Sequence, residues 1–151
     1  MREINTIVCH HSASQWGQVN TVRQWHLERG FSDIGYHYVI CNLYPTYNSL
    51  TLQQPSVQTD GLIQDGRPIE IIGAHVKGHN EGSVGICLIG GAIFTLRQLC
   101  SLRRLITRLT IEYPSITRIC GHRDLAPSIC PEFEVAAWWM SGLDTLPRRL
   151  G

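Results

Sequence analysis

The run Ser83-Val84-Gly85-Ile86-Cys87-Leu88-Ile89 constrains this chain more than any other stretch. A strand with one face in water alternates apolar and polar residues. This one does not, so it belongs at the centre of a sheet covered on both faces. Gly90-Gly91 ends the run. From Thr95 to about Tyr113, Leu96, Leu99, Leu102, Leu105, Ile106 and Leu109 recur at spacings of three and four with arginines between them, the stripe of a helix lying against a sheet. Pro114 stops it.

Shorter elements flank this pair. Ile4 to Cys9 is β-branched and apolar, reads as a strand, and delivers His10 and His11 to its end. Thr21 is placed to cap a helix running to about Arg29, with Gly30 as its stop. Tyr36 to Cys41 reads as a second strand. Residues 42–60 lack apolar periodicity and read as a long excursion. Asp60-Gly61 and Asp65-Gly66 are turn signals, and Pro68 to Ile72 reads as extended, which predicts a small antiparallel edge. Ile116 to Cys120 reads as a further strand, Gly121-His122-Arg123-Asp124 opens a loop to Cys130, and a final helix is predicted from about Glu132 to Ser141. Strands alternating with helices predict an α/β (α+β) domain with a central mixed β-sheet flanked by helices. The 151 residues fit one domain, 1–151.

Composition excludes several classes. With 13 basic and 12 acidic residues the formal charge is +1, so there is no bulk drive toward nucleic acid or membrane. No apolar run approaches the roughly 20 residues of a bilayer span, and the first residues lack the apolar core of a secretory signal. The expectation is a soluble protein made in the cytoplasm. Six cysteines would permit 15 disulfide pairings. Cys9, Cys41, Cys87 and Cys120 instead lie in or beside aliphatic runs and Cys100 on the long helix, where a free cysteine acts as a small buried hydrophobe. Cys130, in the loop Ala126-Pro127-Ser128-Ile129-Cys130-Pro131, has no such role in view.

His10, His122 and Cys130 form a candidate three-ligand metal site. Imidazole and thiolate together favour zinc, and three protein ligands leave a fourth position open, as catalytic zinc requires. Spacing alone leaves open whether these residues are ligands or structural, since the chain has seven histidines. Copper would need an axial partner, for which Met140 on the last predicted helix is the one candidate. No H-E-x-x-H pattern supplies a general-base glutamate.

The segments Ile7-Val8-Cys9-His10-His11-Ser12-Ala13, Trp25-His26 with Gly30, Ile34-Gly35-Tyr36-His37-Tyr38, Gly73-Ala74-His75 with Gly78 and Asn80, Ser83 to Gly91, and Gly121-His122-Arg123-Asp124 with Ala126-Pro127 and Cys130-Pro131 resemble the N-acetylmuramoyl-L-alanine amidase family shared by bacteriophage T7 lysozyme and the peptidoglycan recognition proteins. They occur in the family's order and cover most of the chain. The Phe94 to Leu109 helix and the Phe133 to Trp139 end look more like the T7 lysozyme branch.

The resemblance implies a monomeric zinc amidase with one Zn2+ on His10, His122 and Cys130, acting on peptidoglycan at the bond between N-acetylmuramic acid and L-alanine. Tyr36 matches the tyrosine placed beside the metal-bound water, and His75 matches a histidine near the substrate cleft. Ser128 stands where T7 lysozyme has a lysine, so the catalytic set is Tyr36, Ser128 and His75, with Ser128 offering a hydrogen bond in place of a cation. Residues 42–60 read as a loop insertion relative to the family. The expected role is a phage or prophage endolysin acting on the cell wall, with binding of a phage-type RNA polymerase as a further partner. A non-hydrolytic peptidoglycan-binding protein, a cytoplasmic wall-recycling amidase and hydrolysis of another amide stay open as alternatives. His11, His26 and His37 read as structural, His79 as a solvated loop residue, Arg123 and Asp124 as a local ion pair, and Trp16, Trp25, Trp138 and Trp139 as packing residues, with Trp16 able to touch substrate if exposed.

Overall fold

A computed structural model describes residues 1–146. Its strands are β1 (Thr6–His11), β2 (Tyr38–Ile40), β3 (Ile63–Asp65), β4 (Ser83–Leu88) and β5 (Arg118–Gly121). They form one mixed sheet in the order β3-β2-β4-β1-β5, with β3 antiparallel to β2 and the other pairs parallel. The helices are α1 (Val19–Glu28), α2 (Tyr47–Thr51), α3 (Leu96–Glu112) and α4 (Val135–Ser141). All six residues of β4 are buried at the centre of the sheet, as its unalternating run requires.

The two faces are covered differently. Ile7 and Cys9 of β1, Ile40 of β2 and Val84, Ile86 and Leu88 of β4 pack with Leu99, Leu102, Leu105, Ile106 and Leu109 of α3 and with Trp138 of α4. On the other face Val39, Cys87 and Ile89 meet Val22 of α1 and Ile34, while Val8 meets Val76 and Cys120. Strand residues alternate between faces, so His10 shares the face of Val8 and His11 that of Cys9. Each buried aliphatic side chain contributes about 1.5–3 kcal/mol, so α3 is held by its stripe more than by its backbone.

Local chemistry sets the ends of the helices. Thr95 caps α3: its Oγ1 accepts from the Gln98 backbone N–H and Gln98 Oε1 accepts from the Thr95 N–H, both at 3.0 Å. The buried Gln98 also donates to the carbonyls of Ile40 and Ile89 and ties the helix start to the ends of β2 and β4. Gly30, at φ +91°, ends α1 in a left-handed turn, with Phe31 N–H on His26 O and Gly30 N–H on Leu27 O.

Several boundaries differ from the sequence expectation. α1 begins at Val19 with Gln18 as its cap, and Thr21 sits inside the first turn, where its hydroxyl accepts from the Gln18 N–H. β2 begins at Tyr38 because the carbonyls of Tyr36 and His37 accept from Arg67 and Gly66 of the following turn. Pro68 to Ile72 is a turn closed by Ile71 N–H on Pro68 O, and the antiparallel edge is made by β3 instead. α4 begins at Val135 because Glu132 has φ +71°, outside the helical region. The excursion over 42–60 contains α2, capped by Thr46. No residue of α2 is buried, so it carries no apolar stripe to read.

Candidate metal centre

β1 places His10 at the end of the central sheet with 1% of its surface exposed. β5 pairs beside β1, with Gly121 opposite Cys9, so a short 3-10 turn at His122–Asp124 starts next to His10. The two imidazole centroids lie 4.8 Å apart. The loop then returns Cys130 to the same place, through Arg123 N–H on Cys130 O at 2.8 Å and Cys130 N–H on Ser128 Oγ at 3.1 Å. Cys130 Sγ accepts from the His11 backbone N–H at 3.2 Å and lies 3.9 Å from His10 Nδ1. One donor atom from each of His10, His122 and Cys130 falls within a 4.8 Å span.

This donor set fits zinc. Tetrahedral zinc with bonds of about 2.0 Å to nitrogen and 2.3 Å to sulfur spaces those donors about 3.5 Å apart, so the 3.9 Å between His10 Nδ1 and Cys130 Sγ needs only a few tenths of adjustment. Burial, with His75 and His122 alongside, holds the His10 pKa well below its usual value. Burial and then His11 lower that of His122. Both rings therefore keep a lone pair at neutral pH. Burial pushes the Cys130 thiol up to about 11, opposed by the His11 N–H and helped by the charge of Glu132. A cation at the trio is what would favour the thiolate.

The remaining expected site residues surround this trio. The Tyr36 ring lies 5.0 Å from His10 and 5.2 Å from His26. Burial first, then the thiols of Cys87 and Cys130, raises its pKa, so the phenol stays a proton donor. Ser128 is half-buried and its hydroxyl oxygen accepts from Cys130 N–H. His75, expected near a substrate cleft, lies directly on His10: His75 Nδ1 is 2.9 Å from His10 Nε2, and His75 Nε2 is 3.2 Å from Ser83 Oγ. Burial, with His37 and His122 adding, lowers its pKa to about 3.

His26 and His37 are hydrogen-bonding residues. His26 Nδ1 accepts from Gly35 N–H at 2.8 Å. His37 Nδ1 accepts from Gly85 N–H at 3.1 Å, which puts its proton on Nε2 and toward Ile71 O. His11 reaches Glu132, with Nε2 3.1 Å from the carboxylate. His79 is exposed. Arg123 and Asp124 do not pair. Arg123 bonds Glu134, and Asp124 folds back to accept the Gly121 N–H at 2.8 Å, so each is drawn to a nearer partner.

Trp16 is half-buried, edge-on to Trp25 and Tyr47, and so ties the excursion to α1. A hollow of about 540 Å³ is lined by residues that include Asn42, Tyr44, Leu50, Ile93 and Phe94, and by none of the trio. Sequence reasoning missed Ser83 and Glu132 as partners of the site. Ser83 lies inside the central strand run, and only its polarity in that apolar company could have marked it.

Comparison with known proteins agrees with the geometry. The family model described as N-acetylmuramoyl-L-alanine amidase matches residues 1–133. The endolysin of Escherichia phage T7 is 34% identical over 146 residues, covering 89% of this chain and 85% of the relative. Among solved structures, the N-acetylmuramoyl-L-alanine amidase LysC from Clostridium intestinale URNW superposes with a TM-score of 0.71 at 30% identity, covering 86% of this chain and 77% of that one. Drosophila PGRP-LB superposes with a TM-score of 0.68 at 26% identity, covering 87% and 76%.

Proposed function

The chain belongs to the N-acetylmuramoyl-L-alanine amidase family, and from that premise we propose that it is a zinc-dependent endolysin that hydrolyses the amide between N-acetylmuramic acid and L-alanine in peptidoglycan. The observation that carries this reading is the meeting of His10, His122 and Cys130, from β1, the turn after β5 and the following loop, at the positions of the family's motifs. Relatives named as endolysins from several phages support the wall as the place of action.

His10, His122 and Cys130 would hold one zinc ion. When bound, zinc supplies Lewis acidity toward a water and toward a carbonyl oxygen. In the reaction, water adds to the lactyl carbonyl carbon, the C–N bond breaks, and the L-alanine nitrogen leaves with a proton as an amine. Tyr36, held protonated beside His10, orients the water and donates a hydrogen bond within the site. Ser128 has its oxygen engaged by Cys130 N–H, which leaves its own O–H free to donate to the oxygen that gains charge. His10 and His122, kept neutral by burial, offer lone pairs without first losing protons.

The test is incubation of the purified protein with peptidoglycan, with and without a chelator, followed by mass spectrometry. Stem peptides with free L-alanine amino termini, released only without chelator, are expected. New reducing sugar ends would point to a glycosidase, and binding without any release would mark a non-hydrolytic wall-binding protein.

A further inference from the structure

His75 touches His10 and not the sulfur side of the site, and the direction of its hydrogen bonds can be worked out from one end. Ser83 Oγ lies 2.7 Å from the carbonyl of His79, which can only accept, so the single hydroxyl proton goes there. The oxygen then turns a lone pair toward His75 Nε2 at 3.2 Å, and that nitrogen carries the proton. A neutral imidazole has one N–H, so His75 Nδ1 is an acceptor. Its partner at 2.9 Å, His10 Nε2, must therefore donate. This leaves His10 Nδ1 unprotonated on the side facing Cys130 Sγ. With the opposite polarity the proton would sit on His10 Nδ1 and block it as a ligand.

The ring of His75 is held in place from several sides, in part by residues that also make room for Gly35 and His37. Asn80 Oδ1 accepts from the backbone N–H groups of both His75 and Val76, at 2.8 and 2.9 Å. A Cβ on Gly85, in the middle of the central strand, would come within 2.7 Å of the ring, and a Cβ on Gly73 within 2.8 Å. Two glycines thus leave the space that the imidazole fills. Both ring nitrogens are engaged, so neither is open to a substrate or a water.

We propose that His75 is a positioning residue that, braced by Ser83, fixes the proton of His10 on Nε2 and so presents the His10 Nδ1 lone pair to the metal. This differs from a proton-handling role for His75 and deepens the zinc reading above, on which it rests. Groups that hold a metal-ligating histidine in this way typically affect metal affinity about 10- to 100-fold.

The direct test is long-range proton–nitrogen NMR of the zinc-loaded protein with nitrogen-15 in its histidines. Protonated Nε2 is expected on both His10 and His75, with His10 Nδ1 on the metal. His75→Ala should weaken zinc binding in a chelator competition by about 10- to 100-fold. His75→Asn should recover most of that loss, because its amide oxygen can stand in for the Nδ1 acceptor, and at saturating zinc its pH–rate profile should match the parent.

Ser83→Ala should give a smaller loss of about fivefold, one neutral hydrogen bond, and serves if His75→Ala fails to fold. Zinc bound through His10 Nε2, or a proton on His75 Nδ1, overturns the inference. So does a His75→Asn enzyme that binds zinc normally but loses one limb of its pH profile. A parent protein that binds no zinc would instead overturn the reading of the previous section.

Discussion

The two sides of the candidate metal centre are built in opposite ways. His10 stands on a strand inside the sheet, its partner His75 packs over Gly85 of β4, and Ser83 is the first residue of that strand. His122, Ser128 and Cys130 stand on a loop that holds itself together through short-range bonds: Gly121 N–H to Asp124, Cys130 N–H to Ser128 and Arg123 N–H to Cys130 O. The sheet side gets its order from burial, and the loop side from a few backbone hydrogen bonds. A change on the sheet side should therefore cost stability and metal together, whereas a change on the loop side should alter chemistry with little effect on folding.

The largest effect should come from the loop. Cys130→Ala removes a ligand and its charge, and is expected to lose stoichiometric zinc and more than about 100-fold in wall cleavage, beyond the range of groups that only position a ligand. Its unfolding midpoint without metal should stay close to that of the parent. Metal analysis, activity and thermal melts of one sample check all three, and full activity in the metal-free variant would refute the ligand assignment.

On the sheet side, Gly85→Ala pushes a Cβ to within 2.7 Å of the His75 ring, whose two nitrogens are tied to His10 and Ser83. Overpacking of this kind costs about 1–3 kcal/mol, and zinc affinity should fall with it, by about the 10-fold lower end of the range for a disturbed ligand support. Urea denaturation and chelator competition measure the two losses. A stable variant with weakened zinc binding would break the link drawn between burial and order on this side.

Proton release separates the two imidazoles from the thiol. His10 and His122 are lowered and already neutral at pH 7.5, so they give up no proton on binding metal. Cys130, pushed up to about 11, is a thiol in the metal-free protein and must lose one. Below that pKa the apparent zinc affinity should therefore rise about tenfold per pH unit, with one proton released. Calorimetry in buffers of different ionisation enthalpy counts it. A count of two would mean that one of the two imidazoles is protonated in the metal-free protein.

Ser128→Ala should be the mildest. It should lower the rate about tenfold, on the order of one hydrogen bond, while leaving zinc stoichiometry unchanged. An unchanged rate would show that the hydroxyl serves only to hold the Cys130 loop.

Much of this was legible in the residues. The apolar run that contains β4 and the apolar stripe of α3 specify a covered sheet and its helix, because burial imposes patterns that can be read along a chain. His10, His122 and Cys130 were marked as candidates by residue type and position. Helix α2 was not legible, since a surface helix held by the Thr46 cap has no apolar period. The pairing of Arg123 with Glu134 was hidden for a different reason, because a neighbour in sequence is a weaker guide than a neighbour in space.

Sequence by itself determined β1, β2, β4 and β5 and helices α1, α3 and α4 in their order, the family motifs and the kinds of donor atom available. Only tertiary structure decided that residues 10, 75 and 83 stand in one hydrogen-bonded line, because that depends on which strands lie side by side and on the space that Gly73 and Gly85 leave open. Period and composition are properties of a single stretch of chain, whereas the direction of a proton between two imidazoles depends on contacts that only folding brings together.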